Sequence, residues 1–293
     1  MQFTLRNTSA VAVVDTHGAE LKSFQDGFGT EYLWQGDPAY WGASSPVLFP
    51  VVSSLRGGKT LIDGREYEIP LHGFAHSMEF RSCYFMENKA VFSLIANEKT
   101  KAMYPFDFNL QISYELDACT LKIRYDVFNM GDRTMPFCLG AHPGFNIPLA
   151  EDDVFENYRI RFAETEEGTT PIFDPEKREW QADQRVQRLE DGRQMKLRYD
   201  LFEKDAVFFD TLRSSKLEVS SQLTGRGVQV ELEGFESVAF WTPAGKQAPF
   251  LCIEPWCGAA AYSDEGDEFV KKRGVQFVEP DEKKTYAMTI EMM

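Results

Sequence analysis

The chain has 293 residues, and its 31 Lys and Arg against 46 Asp and Glu give a formal net charge of −15. Apolar residues make up 43% and charged residues 26%, which is typical of a globular protein and excludes a disordered or collagen-like chain. The acidic balance argues against nucleic acid and anionic membrane surfaces as partners, because both attract clusters of Lys and Arg. No segment approaches the roughly 18 consecutive apolar residues of a membrane span.

The start of the chain and its cysteines indicate the compartment. The first residues, MQFTLRNTSAVAVVD, lack the basic segment and long apolar run of a secretory signal peptide. The five cysteines are an odd number and form no Cys-x-x-Cys pair. We therefore expect reduced, mostly buried thiols in a cytoplasmic protein.

Alternation of apolar and polar residues is the main structural signal along the chain. Residues 110–116 and 121–127 alternate strictly across a four-residue link, which predicts an antiparallel hairpin. The same period recurs in residues 158–162, 195–199 and 228–232. Each segment has one apolar and one polar face, as in an antiparallel sheet with one solvated side.

Other segments predict little helix. Residues 267–274 place acids first, bases last and a glycine at the end, which predicts one short helix. The acidic stretch 163–183 is predicted to be a long loop. No alternation of strands and helices indicates a Rossmann or TIM architecture, and no linker marks a boundary. We predict an all-β protein with residues 1–293 in a single large β-sandwich domain.

Three of the four histidines lie where loops are predicted. His72 and His76 follow a strand-like segment that ends at Pro70, and His142 lies between Gly-Ala and Pro-Gly, where the chain must turn. Binding and catalytic groups concentrate on such loops. A hydrogen-bonded structural histidine is the alternative at each position. His17, before a glycine, is interpreted as a turn residue.

Glu254 is the most informative carboxylate because it lies inside the apolar segment 250–257. Burying a carboxylate costs several kcal/mol unless it is paired, so Glu254 needs a partner or a raised pKa suited to general-base work. A structural glutamate that pairs with an arginine is the alternative. Trp256 offers a ring face for a sugar, or belongs to the core.

Motifs for nucleophiles, nucleotides and metals are not found. There is no Gly-x-Ser-x-Gly nucleophile elbow, and the Gly27-Phe-Gly29 segment lacks the third glycine of a nucleotide fingerprint. Cys252 and Cys257 with a histidine have the spacing of no standard zinc site. We expect no cofactor and no metal.

The order of several short motifs resembles the aldose 1-epimerase (galactose mutarotase) family, in particular its LacX-like branch. The motifs extend over most of the chain, and the resemblance implies a large antiparallel β supersandwich. They are His17-Gly-Ala-Glu-Leu-Lys-Ser23, Glu31-Tyr-Leu-Trp-Gln-Gly-Asp-Pro-Ala-Tyr-Trp41, Pro46-Val-Leu-Phe-Pro-Val-Val52, Asp63-Gly-Arg-Glu-Tyr67, His72-Gly-Phe-Ala75, Gly140-Ala-His-Pro-Gly-Phe-Asn146 and Cys252-Ile-Glu-Pro-Trp-Cys-Gly258.

The resemblance also implies roles for four residues. Glu254 matches the general base of the family, and His142 matches its general acid. His72 matches a histidine that supports the ring oxygen of the sugar. Asp210 resembles, more loosely, an aspartate that binds the sugar.

Two departures from the family concern sugar recognition. Ser53-Ser54 stands where members usually carry an arginine, and His76 stands where the branch commonly has another. Arg56 is the nearest possible substitute for the first. His76 is a weaker, pH-dependent donor. The catalytic groups look intact while the recognition groups are altered, which makes a hexose 6-phosphate a less suitable substrate.

The sequence thus favours a mutarotase acting on a free hexose, present as a monomer or weak homodimer. A non-catalytic carbohydrate-binding or sugar-sensing protein on the same fold is the alternative, motivated by the missing arginines. A glycoside-processing enzyme is a third reading, but it needs a second acid that the sequence does not place.

Overall fold

The computed structural model describes residues 1–293, and strands build most of it. One α-helix, α1 (Glu98–Met103), and five 3-10 helices (Arg56–Gly58, Ala75–Ser77, Phe155–Asn157, Tyr199–Phe202, Phe269–Lys271) lie between them. The strands in chain order are β1 (Gln2–Arg6), β2 (Ala10–Asp15), β3 (Leu21–Asp26), β4 (Val47–Leu48), β5 (Lys59–Ile62), β6 (Arg65–Glu68), β7 (Arg81–Met86), β8 (Lys89–Ile95), β9 (Phe108–Asp117), β10 (Thr120–Asn129), β11 (Met135–Phe137), β12 (Leu139–Ala141), β13 (Gly144–Asn146), β14 (Tyr158–Phe162), β15 (Thr169–Asp174), β16 (Glu179–Gln187), β17 (Gln194–Lys196), β18 (Val207–Phe209), β19 (Lys216–Ser221), β20 (Gly227–Glu233), β21 (Ser237–Trp241), β22 (Phe250–Cys257), β23 (Gln276–Val278) and β24 (Lys283–Met292).

Two large sheets dominate the topology, and neighbouring strands in them are antiparallel. A nine-stranded sheet has the order β17-β14-β19-β20-β24-β10-β9-β8-β7. A six-stranded sheet has the order β18-β21-β22-β12-β4, with β13 also paired to β22. Smaller sheets are β1-β2-β3, β5-β6, β11-β23 and β15-β16. The predicted all-β class is confirmed.

Four of the five alternating segments form strands where the sequence predicts them, whereas the segment 195–199 enters a strand, β17, only at Met195 and Lys196. Residues 110–127 lie in the hairpin of β9 and β10, in which Asp117 pairs with Thr120. The connecting turn is therefore two residues, Ala118 and Cys119, rather than the predicted four, and Ala118 has a φ of 48°. Positive φ in a two-residue turn matches the right-handed twist of the flanking strands. The β14 strand has the predicted bounds.

Two local predictions are wrong, and one short helix was not predicted. Residues 267–274 contain only a single 3-10 turn, because Glu268 and Lys272 both have extended backbone angles. The helix that does form, α1, begins at Asn97, whose side chain and that of Thr100 make a reciprocal capping box. The predicted loop 163–183 contains β15 and the start of β16, which form a hairpin anchored by the buried Trp180.

The core joins the two large sheets. A continuous cluster of 77 buried apolar residues includes side chains from both. The rings of Phe162 on β14 and Phe240 on β21 are 6.1 Å apart, and those of Phe49, next to β4, and Phe108 on β9 are 5.0 Å apart. The single-domain organisation stays a prediction. None of the helices has the length and hydropathy needed to cross a membrane.

Strand β22 lies inside the six-stranded sheet, and all eight of its residues are buried. Its neighbours are β21 on one edge and β12 and β13 on the other. A strand buried on both faces is normally apolar throughout. Glu254 in its middle is the only acidic or basic residue of β22, so its burial carries a free-energy cost.

Candidate active site

Glu254 lies on β22 with 2% of its surface exposed. Side chains two residues apart on a strand project from the same face, so Cys252, Glu254 and Trp256 share one face of β22. On the neighbouring strand, Ala239 is the partner of Glu254 in the register. The small alanine leaves room beside the carboxylate.

His142 reaches the carboxylate from the connection between β12 and β13. Its Nε2 lies 3.2 Å from Glu254 Oε2, although the two atoms lack the alignment of a hydrogen bond. The indole of Trp41 stacks on the imidazole at 4.8 Å, and Trp241 contacts it edge-on at 5.7 Å. The His142 amide donates to the carbonyl of Pro46 at 3.1 Å. These contacts hold the ring in one orientation beside Glu254.

Burial shifts the pKa values of the two groups in opposite directions. The pKa of Glu254 is raised well above its ordinary value by burial and, to a smaller extent, by the charge of Asp205. The pKa of His142 is lowered well below its ordinary value by burial and then by His72. Because the pKa of the carboxyl group is raised and that of the imidazole is lowered, the pair holds one proton over a wide pH range, and in the free protein that proton lies on Glu254.

His72 lies at the edge of the same pair, with its ring centroid 5.3 Å from that of His142. The Ser53 amide donates to His72 Nδ1 at 3.1 Å, which places the ring proton on Nε2. Burial, helped by the charges of His76 and Arg178, lowers the pKa of His72 to about 3. His72 is therefore a neutral imidazole with a free Nε2–H donor at physiological pH.

These groups line one cavity of about 670 Å³. That volume is in the range of small-molecule sites. The walls include five of the seven residues that the sequence predicts for the site, namely Glu254, His142, His72, His76 and Trp256. Both serines at the altered position, Ser53 and Ser54, also line it.

Unpartnered polar atoms concentrate around this cavity. Buried polar groups in proteins are normally hydrogen-bonded, and nine buried side-chain atoms of this chain have no partner within the protein. Five of the nine belong to residues that line the cavity: His76 Nδ1, His142 Nδ1, Trp180 Nε1, Glu254 Oε2 and Trp256 Nε1. Such a set of free donors and acceptors suits a ligand rich in hydroxyl groups.

The structure does not place Arg56 or Asp210 among the residues that line the cavity. Arg56 donates to the carbonyls of Tyr262 and Glu265 at 2.8 Å and pairs with Asp267 at 3.0 Å. Asp210 accepts two hydrogen bonds from Arg185, at 2.7 and 2.9 Å. The hydrogen-bonding capacity of both residues is used within the protein.

Arg56 and Asp210 instead hold the hairpin that forms one wall of the cavity. Arg56 lies 3.5 Å from Glu179 at the start of β16, and the Arg185 partner of Asp210 is on the same strand. The hydroxyl of Tyr262 also donates to Asp210 at 3.0 Å. Both predicted sugar ligands therefore stabilise the β15–β16 hairpin against the loops beside it.

Two further charged residues in the cavity were not predicted from the sequence. Asp205 lies just before β18, with a φ of 98° and a pKa raised by burial. Arg178 lies in the turn between β15 and β16, where Ser54 donates to its carbonyl at 3.0 Å. The guanidinium of Arg178 makes no ion pair. The sequence gives only weak signals for these two residues. Asp205 is an acidic residue five positions before Asp210, and Arg178 is a basic residue within the acidic stretch 163–183.

Comparison with known proteins shows the family to which the chain belongs. The sequence model of the family described as aldose 1-epimerase matches residues 1–291. The chain belongs to the aldose 1-epimerase family. The plasmid-encoded protein LacX of Lactococcus lactis subsp. lactis is 34% identical, over 99% of each chain, and the chromosomal LacX is 33% identical over the same share. The resemblance to the LacX-like branch is confirmed.

Solved structures of the same family have the same fold. A galactose mutarotase related enzyme from Lactobacillus acidophilus has a TM-score of 0.94 at 27% identity, covering 100% of this chain and 97% of that one. A galactose mutarotase-like protein from Lactobacillus casei has a TM-score of 0.93 at 24% identity, covering 100% of both chains. The predicted supersandwich is confirmed, and family and fold together support an isomerase of the mutarotase kind.

The loop that carries His72 yields a stability prediction. Gly73 has a φ of 76°, and a Cβ there would lie 2.1 Å from the carbonyl oxygen of Phe49, so the backbone must shift in Gly73→Ala. Gly64→Ala is the matched control, since Gly64 has a φ of 75° and open space around it. We expect the control to lose about 1–2 kcal/mol from the left-handed backbone alone and Gly73→Ala to lose clearly more, as measured by urea unfolding. Equal losses of unfolding free energy in the two variants would show that the loop accommodates a Cβ at Gly73 at no additional cost.

Proposed function

We propose that the protein is an aldose 1-epimerase that interconverts the α and β anomers of a free hexose. The observation that carries the proposal is the Glu254–His142 pair, with facing atoms 3.2 Å apart at the wall of a cavity with free polar atoms. Mutarotation requires a proton to leave the anomeric hydroxyl while another arrives at the ring oxygen. A carboxylate and an imidazole that share one proton supply both functions.

In the reaction, Glu254 acts as the base and His142 as the acid. When the sugar binds, hydrogen bonds from its hydroxyl groups favour the carboxylate form of Glu254, and the proton that Glu254 holds in the free protein moves to His142. Glu254 takes the proton of the anomeric hydroxyl while His142 protonates the ring oxygen, and the C1–O5 bond breaks. Rotation about C1–C2 exposes the other face of the aldehyde. Reclosure with the reverse proton transfers then gives the other anomer and restores the pair.

The remaining cavity residues bind and orient the sugar. The Nε2–H of His72 supports the ring oxygen beside His142, since its proton is fixed on that nitrogen by Ser53. Asp205, Arg178 and His76 contact the other hydroxyls. The indole of Trp256, packed 5.0 Å from Phe208, presents an apolar face to the C–H surface of the ring.

The charges of the cavity favour an uncharged sugar. Arg178 is the one permanently charged cation among the lining residues, and Asp205 and Glu254 are carboxyl groups in the same walls. A phosphate group requires a compensating cluster of cations. The name of the galactose mutarotase related enzyme from Lactobacillus acidophilus supports galactose as the first substrate to test.

Removal of either proton-transfer group is the primary test of the proposed mechanism. We expect Glu254→Gln and His142→Gln each to lower the rate of mutarotation of freshly dissolved α-galactose by about 10²- to 10⁴-fold, because each removes one proton-transfer group. Polarimetry measures the rate, and Glu115→Gln, an exposed site on β9, is the control.

The wild-type result separates the two candidate functions. A rate no greater than that of buffer with every aldose rules out the epimerase. Calorimetry that then shows sugar binding without turnover would indicate the carbohydrate-binding or sugar-sensing alternative.

The pH dependence follows from the pKa of His142. Below that pKa a second proton enters the pair, Glu254 can no longer accept one, and the rate falls. Because burial holds the pKa of His142 well below its ordinary 6.5, we expect the acidic limb of the rate profile to lie below that value. Polarimetry from about pH 4 to about pH 8, with the rate of Glu254→Gln subtracted, measures the limb. A midpoint at or above the ordinary histidine value contradicts the expectation.

A matched pair of aspartates tests sugar binding. We expect Asp205→Asn to raise KM by about 10-fold or more, since it removes a charged hydrogen-bond acceptor, with little loss of stability. Asp210→Asn breaks the pair with Arg185 and should lower the free energy of unfolding by about 1 kcal/mol with a smaller change in KM. Steady-state kinetics and urea unfolding of both variants measure these effects. The reverse pattern would indicate that Asp210, and not Asp205, binds the sugar.

A further inference from the structure

Cys252 is a buried thiol beside the proposed acid–base pair for which the reaction has no use. It lies two residues before Glu254 on β22, so both side chains leave the same face of the strand. In the sheet register it lies between Trp241 on β21 and Gly144 on β13. It is fully buried.

His142 completes a cluster with these two residues. Ligand atoms of His142, Cys252 and Glu254 all lie within 4.8 Å of one another, and the imidazole and carboxylate atoms are only 3.2 Å apart. Cys252 and Glu254 lie on β22, and His142 lies on the connection between β12 and β13, which both pair with β22. The cluster is therefore held by the sheet and not by a mobile loop.

The chemistry of the three side chains is that of a zinc-type ligand set. Zinc takes thiolate, imidazole and carboxylate ligands at about 2.0–2.3 Å, and sites with three protein ligands keep a fourth position open. Ligand atoms around such an ion are about 3.3–3.8 Å apart. The His142–Glu254 separation of 3.2 Å is just below this range, and the thiol, within 4.8 Å of both, must move toward them when the ion binds. The cavity beside Glu254 leaves space for the fourth ligand.

Charge also favours a divalent cation here. One thiolate, one carboxylate and one neutral imidazole sum to −2, so a divalent ion gives a neutral assembly. A neutral assembly avoids the penalty of burying an uncompensated charge. Glu254 Oε2 has no hydrogen-bond partner within the protein and is free to coordinate. Binding releases the thiol proton to solvent, since coordinated cysteine is deprotonated.

We propose that His142, Cys252 and Glu254 form a binding site for a thiophilic divalent cation such as Zn²⁺, and that the bound cation inhibits the enzyme. The binding part stands on the geometry of the cluster alone. The inhibitory part rests on the proposed function, because the cation occupies the base and the acid together. Cys252 thereby makes the reaction sensitive to free zinc without taking part in it.

Cobalt spectroscopy of the metal-free, full-length protein tests binding without any sugar. We expect one equivalent of Co²⁺ to produce a thiolate-to-metal charge-transfer band in the near ultraviolet, and Zn²⁺ to remove it. The band should be lost in Cys252→Ser and in Cys252→Ala, the second variant guarding against misfolding of the first. Cys257→Ser is the matched control, since Cys257 is buried on the opposite face of β22 and lies outside the cluster. No band, or a band that persists without Cys252, overturns the site.

Inhibition is tested separately by polarimetry. We expect Zn²⁺ to inhibit the wild type and Cys257→Ser equally, and the inhibition constant to rise about 100-fold in Cys252→Ser, since even loss of an outer-shell partner costs about 10- to 100-fold in metal affinity. The metal-free rate of Cys252→Ser should equal that of the wild type. Zinc that binds without slowing mutarotation overturns the inhibitory part. An inactive wild type with an intact cobalt band would contradict the proposed function and leave the cation site standing.

Discussion

The burial of Glu254 in the middle of an apolar strand is the constraint on which the site depends. A carboxylate at 2% exposure costs several kcal/mol if it ionises alone. The 77-residue core supplies the stability that tolerates this cost. The same burial raises the pKa of Glu254 and lowers that of His142. The fold therefore holds two weak groups with one proton between them, instead of an ion pair that solvent would screen.

Rigid neighbours keep this pair in place. His142 stacks on Trp41, contacts Trp241 edge-on, and lies on the connection that leads into β13, a neighbour of β22. His72 is fixed through its ring nitrogen and through its own amide, which donates to the Ser53 carbonyl at 2.9 Å. Preorganised polar groups of this kind need no rearrangement when charge develops during a reaction. The left-handed backbone at His72 and Gly73 is the strain that this fixed geometry requires.

The sequence predicted correctly those features that depend on residues close together in the chain. The alternation of residues 110–127 specified a hairpin because its strands are neighbours in the chain, and Glu254 stood out because an ionisable group interrupts an apolar run. The predicted helix at 267–274 failed because long-range contacts override its charge pattern. Asp267 pairs with Arg56, and Lys272 lies 3.7 Å from Glu265, so both charges have partners outside the segment, and only Glu268 and Lys271 pair along it.

The choice between Asp205 and Asp210 shows where such reasoning ends. Both flank the same apolar strand β18, so no local pattern distinguishes them. The β15–β16 hairpin distinguishes the two aspartates. Its Arg185 forms an ion pair with Asp210, and its turn places Arg178 in the cavity that Asp205 also lines. That hairpin was predicted to be a loop, since its acidic, proline-containing sequence has turn composition. Contacts with the hairpin thus give the two aspartates different surroundings, which the sequence next to β18 does not show.

The hairpin also separates the two tasks of the proposed enzyme. The acid–base pair belongs to the six-stranded sheet, whereas the one guanidinium of the cavity belongs to the hairpin turn. Ser54, one of the two serines where the sequence analysis expects an arginine, donates to the carbonyl of Arg178. A small side chain there lets the turn approach, and the turn brings its own cation. Changes in the hairpin can therefore alter which hydroxyls are bound while the proton-transfer geometry on β22 stays constant, because the two are held by different contacts.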